Sequence, residues 1–335
     1  MKKEFLNGEY ITQPKLNKTY IENLTREELL LMLVANPSAI KYIDNPSMEL
    51  QLLSISSSNY ITHNRGTNSV QYIDNPSLEV QLAAVRQNGQ DIRYIKDPSS
   101  EIQLAAVQQY GRAIIYIASP SLEIQLAAVQ QDGYAIEYIK DPSLEVQLAA
   151  VSQDRNAIQY IKDPSLEVQL ATMATKRNAF YPGNYILILC FIQHPFPEVQ
   201  ELAVEEDGRN IIYIEHPSTK LQLAAVQQDE HNIQYIENPA PEAQLIAIKK
   251  NSSMIKYINH PSIELQKLAI TRSIKNILYI KHMSADIIKF TIDMINSTTK
   301  YNTTLIQTVE KLINNKIIST ADVNDGIKLL LKLNT

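Results

Sequence analysis

Five glutamines, Gln81, Gln103, Gln125, Gln147 and Gln169, recur every 22 residues, and Gln200, Gln222, Gln244 and Gln266 recur at the same interval. Each lies in a copy of one phrase, cleanest as PSLEVQLAAVSQDRNAIQYIKD over residues 142–163. A strict period of that size denotes one supersecondary unit stacked on copies of itself, because a unit so short cannot bury its apolar face alone. Tyr-Ile pairs beginning at Tyr20, Tyr42, Tyr72, Tyr94, Tyr116, Tyr138, Tyr160, Tyr213, Tyr235, Tyr257 and Tyr279 carry the register beyond the glutamines. Tyr42 and Tyr72 are 30 residues apart, and Tyr160 and Tyr213 are 53 apart. Insertions are therefore expected near residues 54–64 and 180–188, with Phe191 filling the missing tyrosine slot.

Within the unit, Asn75-Pro76, Asp97-Pro98, Asp141-Pro142, Asp163-Pro164 and Asn238-Pro239 predict helix starts, the oxygen-bearing residue as N-cap and proline at the first helical position. Glu79, Glu101, Glu123, Glu145 and Glu167 follow in the first turns, where the helix dipole favours a carboxylate. Leu144, Val146, Leu148, Ala149, Ala150 and Val151 spread over a broad apolar face. Asn88-Gly89, Asp132-Gly133 and Asp207-Gly208 predict helix ends, with glycine supplying a left-handed exit. The second element, as in Ala135–Ile139, is a short α-helix or a 3-10 turn, closed by the following proline. Strands are not expected.

The expected fold is all-α: a right-handed α-solenoid of about twelve 22-residue two-element repeats with helical caps. An N-terminal cap and divergent first repeat would occupy residues 1–41, the repeats 42–282, and a C-terminal cap 283–335, with helices over 284–296, 302–315 and 320–333. The glutamine ladder is expected to be structural, each buried amide bonding the adjacent loop and the next glutamine. The tyrosines are expected to place their rings in the core and their hydroxyls at a polar edge.

The phrase EVQLAAVSQDRNAIQYI resembles a family of helical repeats built on "EVVLAAVxxNGxALxYAS", and is more loosely similar to HEAT repeats and to the leucine-rich-repeat variant, a solenoid of alternating α- and 3-10 helices. The likeness covers roughly residues 20–282 and departs from the pattern in having Gln for the second Val and Tyr-Ile for Tyr-Ala. It implies a scaffold and carries no catalytic residue with it.

Composition narrows the function classes. A net charge of -5 gives no general attraction to nucleic acid or to an anionic membrane. The single cysteine, Cys190, rules out an internal disulfide framework and reads as a small buried apolar residue. The first residues, MKKEFLNGEYITQPK, lack the apolar stretch of a secretory signal. The most apolar run, Tyr185–Ile192, falls far short of the ~20 residues that span a bilayer, so a cytoplasmic protein is expected. Metal-ligand spacings, a phosphate-binding glycine loop, a nucleophile elbow and a dinucleotide fingerprint are missing from the sequence. His194, His216 and His260 precede prolines, where a capping role explains them. The expectation is a non-enzymatic chain without cofactor or metal.

Function is expected where repeats differ while pointing the same way. One such slot reads Gln90, Arg112, Tyr134, Asn156, Asn178, Arg209, His231, Ser253 and Lys275; another, before each tyrosine, reads Arg93, Ile115, Glu137, Gln159, Ile212, Gln234, Lys256 and Leu278. Exposed rows of mixed Arg, Tyr and polar residues suit recognition of a protein partner. Phe180, Tyr181 and Tyr185, in a Pro-Gly insertion, are further candidate anchors. Charge is also segregated: ten acidic residues against Arg209 and Lys220 over 198–242, then eight basic residues against Glu264 and Asp286 over 245–290. The richness in Ile, Asn and Lys suggests an AT-rich bacterial or viral genome, and a role as inhibitor or sponge of a host factor. The alternative is a nucleic-acid-binding HEAT-like protein of DNA repair or anti-defence type.

Overall fold

The structure, a computed structural model, describes residues 3–6, 9–12, 16–57, 69–175, 187–298 and 303–331. The chain divides into two compact units, Met1–Phe180 and Tyr181–Thr335. The first opens with an antiparallel hairpin, β1 (Lys3–Leu6) and β2 (Glu9–Thr12), paired Lys3 to Thr12. This hairpin is a departure from the strand-free expectation, and it lies ahead of the repeats. Helices α1 (Lys18–Glu22), α2 (Arg26–Ala35), α3 (Met48–Ser57), α4 (Leu78–Gln87), α5 (Ser100–Gln109), α6 (Leu122–Gln131), α7 (Leu144–Gln153) and α8 (Leu166–Ala174) follow. The second unit holds α9 (Pro197–Glu206), α10 (Thr219–Gln228), α11 (Pro241–Lys250), α12 (Ile263–Arg272), α13 (Ala285–Ser297), α14 (Thr303–Asn314) and α15 (Asp325–Leu330).

Between consecutive repeat helices runs a 3-10 helix, as in Gly89–Tyr94, Gly111–Tyr116, Gly133–Tyr138 and Arg155–Tyr160, or Gly208–Tyr213 and Glu230–Tyr235. The two open forms of the second element thus resolve to 3-10. Within each unit, successive α-helices pack side by side and successive 3-10 helices form a parallel stack, which makes each unit an α-solenoid. The best-matched repeats add one set to the core, as with Val146, Ala150 and Val151 from α7, then Ala157, Ile158 and Ile161 from the 3-10 segment that follows. Leu144, assigned to that apolar face, is instead 45% exposed. Among the described residues no helix is long and apolar enough to cross a membrane.

The helix start differs from the sequence reading by two residues. The N-cap is serine: Ser77, Ser99, Ser121, Ser143, Ser165, Ser218 and Ser262 each accept from the backbone N–H three residues on. Proline precedes the cap. The Asn or Asp before proline serves the turn instead, with φ between 45° and 48° at Asn45, Asn75, Asp97, Asp141 and Asp163. Asn and Asp are the non-glycine residues that tolerate this left-handed conformation best. His194, His216 and His260 likewise sit ahead of proline, and Phe196, Ser218 and Ser262 hold the cap position there. Thr25 caps α2 in a reciprocal box with Glu28, whose carboxylate is held below its ordinary range by the Thr25 backbone N–H.

Each ladder glutamine reaches back to its own turn. Gln81, Gln103, Gln125, Gln147, Gln169, Gln200, Gln222, Gln244 and Gln266 donate through Nε2 to the proline carbonyl five residues earlier, at 2.7–3.0 Å. Gln222 also accepts from the Ala240 N–H of the next repeat, 2.6 Å away. The expected link from glutamine to glutamine is replaced by these loop contacts. A different glutamine, the last residue of the helix, joins repeats: the N–H groups of Gly89, Gly111, Gly133 and Gly208 donate to Oε1 of Gln109, Gln131, Gln153 and Gln228, at 2.6–2.8 Å. These glycines do not supply a left-handed exit. Their small size admits the neighbouring repeat, since a Cβ on Gly133 would stand 2.7 Å from the Ala150 carbonyl oxygen.

Candidate interaction surface

The 3-10 stack faces outward through its tyrosines. Six residues fix only two turns, so Ile136 points inward at 1% exposure while Tyr138, two residues on, stands 36% exposed. The same alternation repeats at Tyr72, Tyr94, Tyr116 and Tyr160 in the first unit and at Tyr213 and Tyr235 in the second, all 37–45% exposed. The expectation of core-facing rings is therefore corrected: the isoleucines fill the core and the tyrosines form a surface row. Cations bind this row together. Lys41 Nζ lies 4.9 Å from the Tyr42 ring and 5.5 Å from the Tyr72 ring, so tyrosines of consecutive repeats flank one charge. Arg93 stands 4.7 Å from the Tyr94 ring and interacts with the Tyr116 hydroxyl of the next repeat. Lys256 stands 4.6 Å from the Tyr257 ring.

The slot before each tyrosine is exposed as well, at Arg93, Ile115, Glu137, Gln159, Ile212, Gln234 and Lys256. Ile115 and Ile212 present about half their surface, at 53% and 49%. Cys190 occupies this slot ahead of Phe191 and is exposed rather than buried, which overturns its core assignment; partial burial of its thiol raises its pKa, so the protonated form prevails.

The other variable slot sits at the second position of each 3-10 helix and is tied to that helix's cap. Asn88, Asp132, Asp154, Asp207 and Asp229 accept from the backbone N–H groups of Gln90, Tyr134, Asn156, Arg209 and His231, at 2.9–3.2 Å. Arg209 folds onto its own Asp207 at 2.7 Å. Arg112 has Tyr110 where a carboxylate would be, and reaches Asp132 of the next repeat instead, at 2.7 Å. Its guanidinium then lies 5.4 Å from the Tyr134 ring, which meets Tyr160 edge-on at 5.7 Å. Burial and the Asp154 carboxylate raise the Tyr134 phenol above its ordinary range, against a hydrogen bond with Asn156. The structure thus gathers Arg112, Tyr134 and Asn156 into one half-buried cluster beside the tyrosine row. Gln90 and Arg209 are half-buried, and Lys275 is exposed. His231 is exposed against Asp229 at 2.9 Å; with Glu230 they form a surface trio whose carboxylate, Asp229, is lowered by the His231 backbone and ring donors. Asn178, Phe180, Tyr181 and Tyr185 lie outside the described residues.

Compared with protein-family models, with curated proteins and with solved structures, the chain matches none.

Proposed function

We propose that the chain is a non-enzymatic binding scaffold of the cytoplasm that grips a protein partner across the 3-10 face. One observation carries this reading: on the 3-10 stack of each unit the tyrosines recur at one position, with Tyr72, Tyr94, Tyr116, Tyr138, Tyr160, Tyr213 and Tyr235 each more than a third exposed, and Lys41 lies over the rings of two consecutive repeats. Tyrosine supplies large amphipathic contact area at low entropic cost, and with arginine it dominates protein interfaces. Ile115 in the first unit and Ile212 in the second, each directly before its tyrosine, add apolar area, while Arg93 and Glu137 vary the charge from repeat to repeat. A bacterial or viral source, a role against a host factor, and kinship with the "EVVLAAVxxNGxALxYAS" repeats are parts of the same proposal.

The test is affinity capture from source-cell lysate with the wild type, a Tyr94→Ala/Tyr116→Ala/Tyr138→Ala triple variant, and a control changed on the exposed helix starts, Glu123→Ala/Glu145→Ala. Loss of the captured protein with the triple variant alone supports the reading; equal capture by all three refutes it. A salt titration against duplex and single-stranded DNA addresses the alternative, since phosphate contacts weaken steeply with salt.

A further inference from the structure

The tyrosine row of the first unit has a spacing as well as a composition. Lys41 Nζ stands 4.9 Å from one ring and 5.5 Å from the next, so the centres of Tyr42 and Tyr72 lie no more than roughly 10 Å apart. Packed helix axes stand about 8–10 Å apart, which sets the lower end of the interval. The stack of 3-10 helices carries the row on through Tyr94, Tyr116, Tyr138 and Tyr160, one ring to each.

A partner segment that touches every ring must repeat itself at that interval. An α-helix turns in about 5.4 Å and a β-strand returns to one face in about 6.8 Å, so both fall out of step within a few rings. A polyproline II segment turns in about 9 Å, three residues at about 3.1 Å each. It therefore offers one side chain per turn to one ring per repeat. Proline suits that place, because its ring is compact, apolar and already fixed in the extended conformation. Grooves lined with aromatic side chains are a recurrent dock for such segments.

Charge selects further. The slot before each tyrosine reads Lys41, Gln71, Arg93, Ile115, Glu137 and Gln159, and all six are exposed. The two cations lie over rings of the row, and among the described residues neither is in an ion pair. Asp44, three residues on from Lys41, is taken by Lys18. Asp91, the carboxyl that acts on Arg93, is buried and pushed up to about 7, so it offsets that charge only in part at neutral pH. Lys41 and Arg93 are two repeats apart, which is about six residues of polyproline II, and Glu137 lies two repeats beyond Arg93.

We infer that the row of the first unit takes an extended, proline-repeating segment of a partner protein. Every third residue is a proline on a tyrosine. Carboxylates six residues apart meet Lys41 and Arg93, and a basic residue six further on meets Glu137. This rests on the reading of the row as a protein-binding face, and names the chemistry of what binds there.

Fluorescence anisotropy of labelled peptides of about 18 residues, one turn for each of six rings, titrated with the full chain at about 50 mM salt, tests this. The first peptide carries proline at every third residue, two glutamates six apart and a lysine six further on. The second keeps that composition with proline at every fourth residue, and the third exchanges the glutamate opposite Arg93 for lysine. Each is made in both chain directions. The first should bind in one direction at least, and the second and third about tenfold more weakly or worse. Arg93→Glu should reverse the preference between the first and the third. No saturable binding of the first peptide, equal binding of the first and second, or a preference unchanged by Arg93→Glu overturns the inference. An oligothymidylate that binds more tightly than the first peptide, and is lost with Tyr94→Ala/Tyr116→Ala/Tyr138→Ala, overturns it in favour of nucleic acid. Where Arg93→Glu loses its helical circular dichroism, the three peptides against the wild type decide. Peptides that fail while capture of a partner still depends on Tyr94, Tyr116 and Tyr138 sink this inference alone; capture that does not depend on them sinks the reading beneath it.

Discussion

Asp91 is an acid in a slot that the other described repeats fill with uncharged residues, most often alanine or asparagine. It is 7% exposed, at the third position of the 3-10 helix Gly89–Tyr94, where Ala113, Ala135 and Ala157 stand in the following repeats. Burial pushes its carboxyl from the ordinary 3.8 to about 7. The Arg93 charge and the Asn88 side-chain amide, whose Nδ2 donates at 2.9 Å, offset only part of this. In the second unit, Asn210, Asn232 and Asn276 take the same slot and donate through Nδ2 to the carbonyls of Ala203, Ala225 and Ala269, at 2.8–2.9 Å. Seven residues before Asp91 the equivalent carbonyl belongs to Ala84, and an ionised carboxylate has no proton to offer it.

The folded chain thus holds a proton that the unfolded chain releases near pH 3.8. Stability should fall as pH rises between that value and about 7, by about 1.4 kcal/mol per unit, and level off above. The full loss is about 4 kcal/mol, as a ceiling before relaxation. Asp91→Asn removes the titration and supplies the missing donor. Its advantage over the wild type, measured by urea unfolding, should widen by about 3 kcal/mol between pH 5 and pH 8, with added amide protection over residues 89–95. Other titrating groups cancel in the difference between the two proteins. A difference that stays constant over that interval would refute the reasoning.

Three further outcomes are expected. Gly133→Ala places a Cβ 2.7 Å from the Ala150 oxygen and should lower stability by about 1–3 kcal/mol in urea unfolding, whereas tolerance would show that repeat spacing yields at little cost. Gln147→Leu strands the Pro142 carbonyl that its Nε2 now reaches at 2.9 Å, and should cost about 1–3 kcal/mol; an unchanged midpoint would remove the ladder's structural role. Ser143→Ala should cost about 1 kcal/mol as a lost N-cap, while Asp141→Gly, at φ 47°, should cost less; the reverse order, read by thermal unfolding, would restore the cap to the aspartate.

The repeat was plain because its signal is additive: nine glutamines and eleven Tyr-Ile pairs in register leave stacked units as the explanation. Sameness, however, reports that a position is constrained and not which side of the chain it occupies. Gln147 and Tyr138 recur equally strictly, yet one closes an internal turn and the other faces solvent. The clue to the inter-repeat contact was also periodic, in Gln109, Gln131, Gln153 and Gln228, but it was overshadowed by the more conspicuous mid-helix series. The serine cap was obscured by the Asp-Pro pair beside it, because both residue types favour helix starts and only backbone φ separates cap from turn.

By itself, then, the order of residues determined that this protein is an array of near-identical helical modules, since periodicity is a property of the chain. Which residues each unit turns outward was decided in three dimensions. Two short turns of 3-10 helix rotate Ile136 into the core and Tyr138 out of it, and that rotation depends on how each repeat leans on the next.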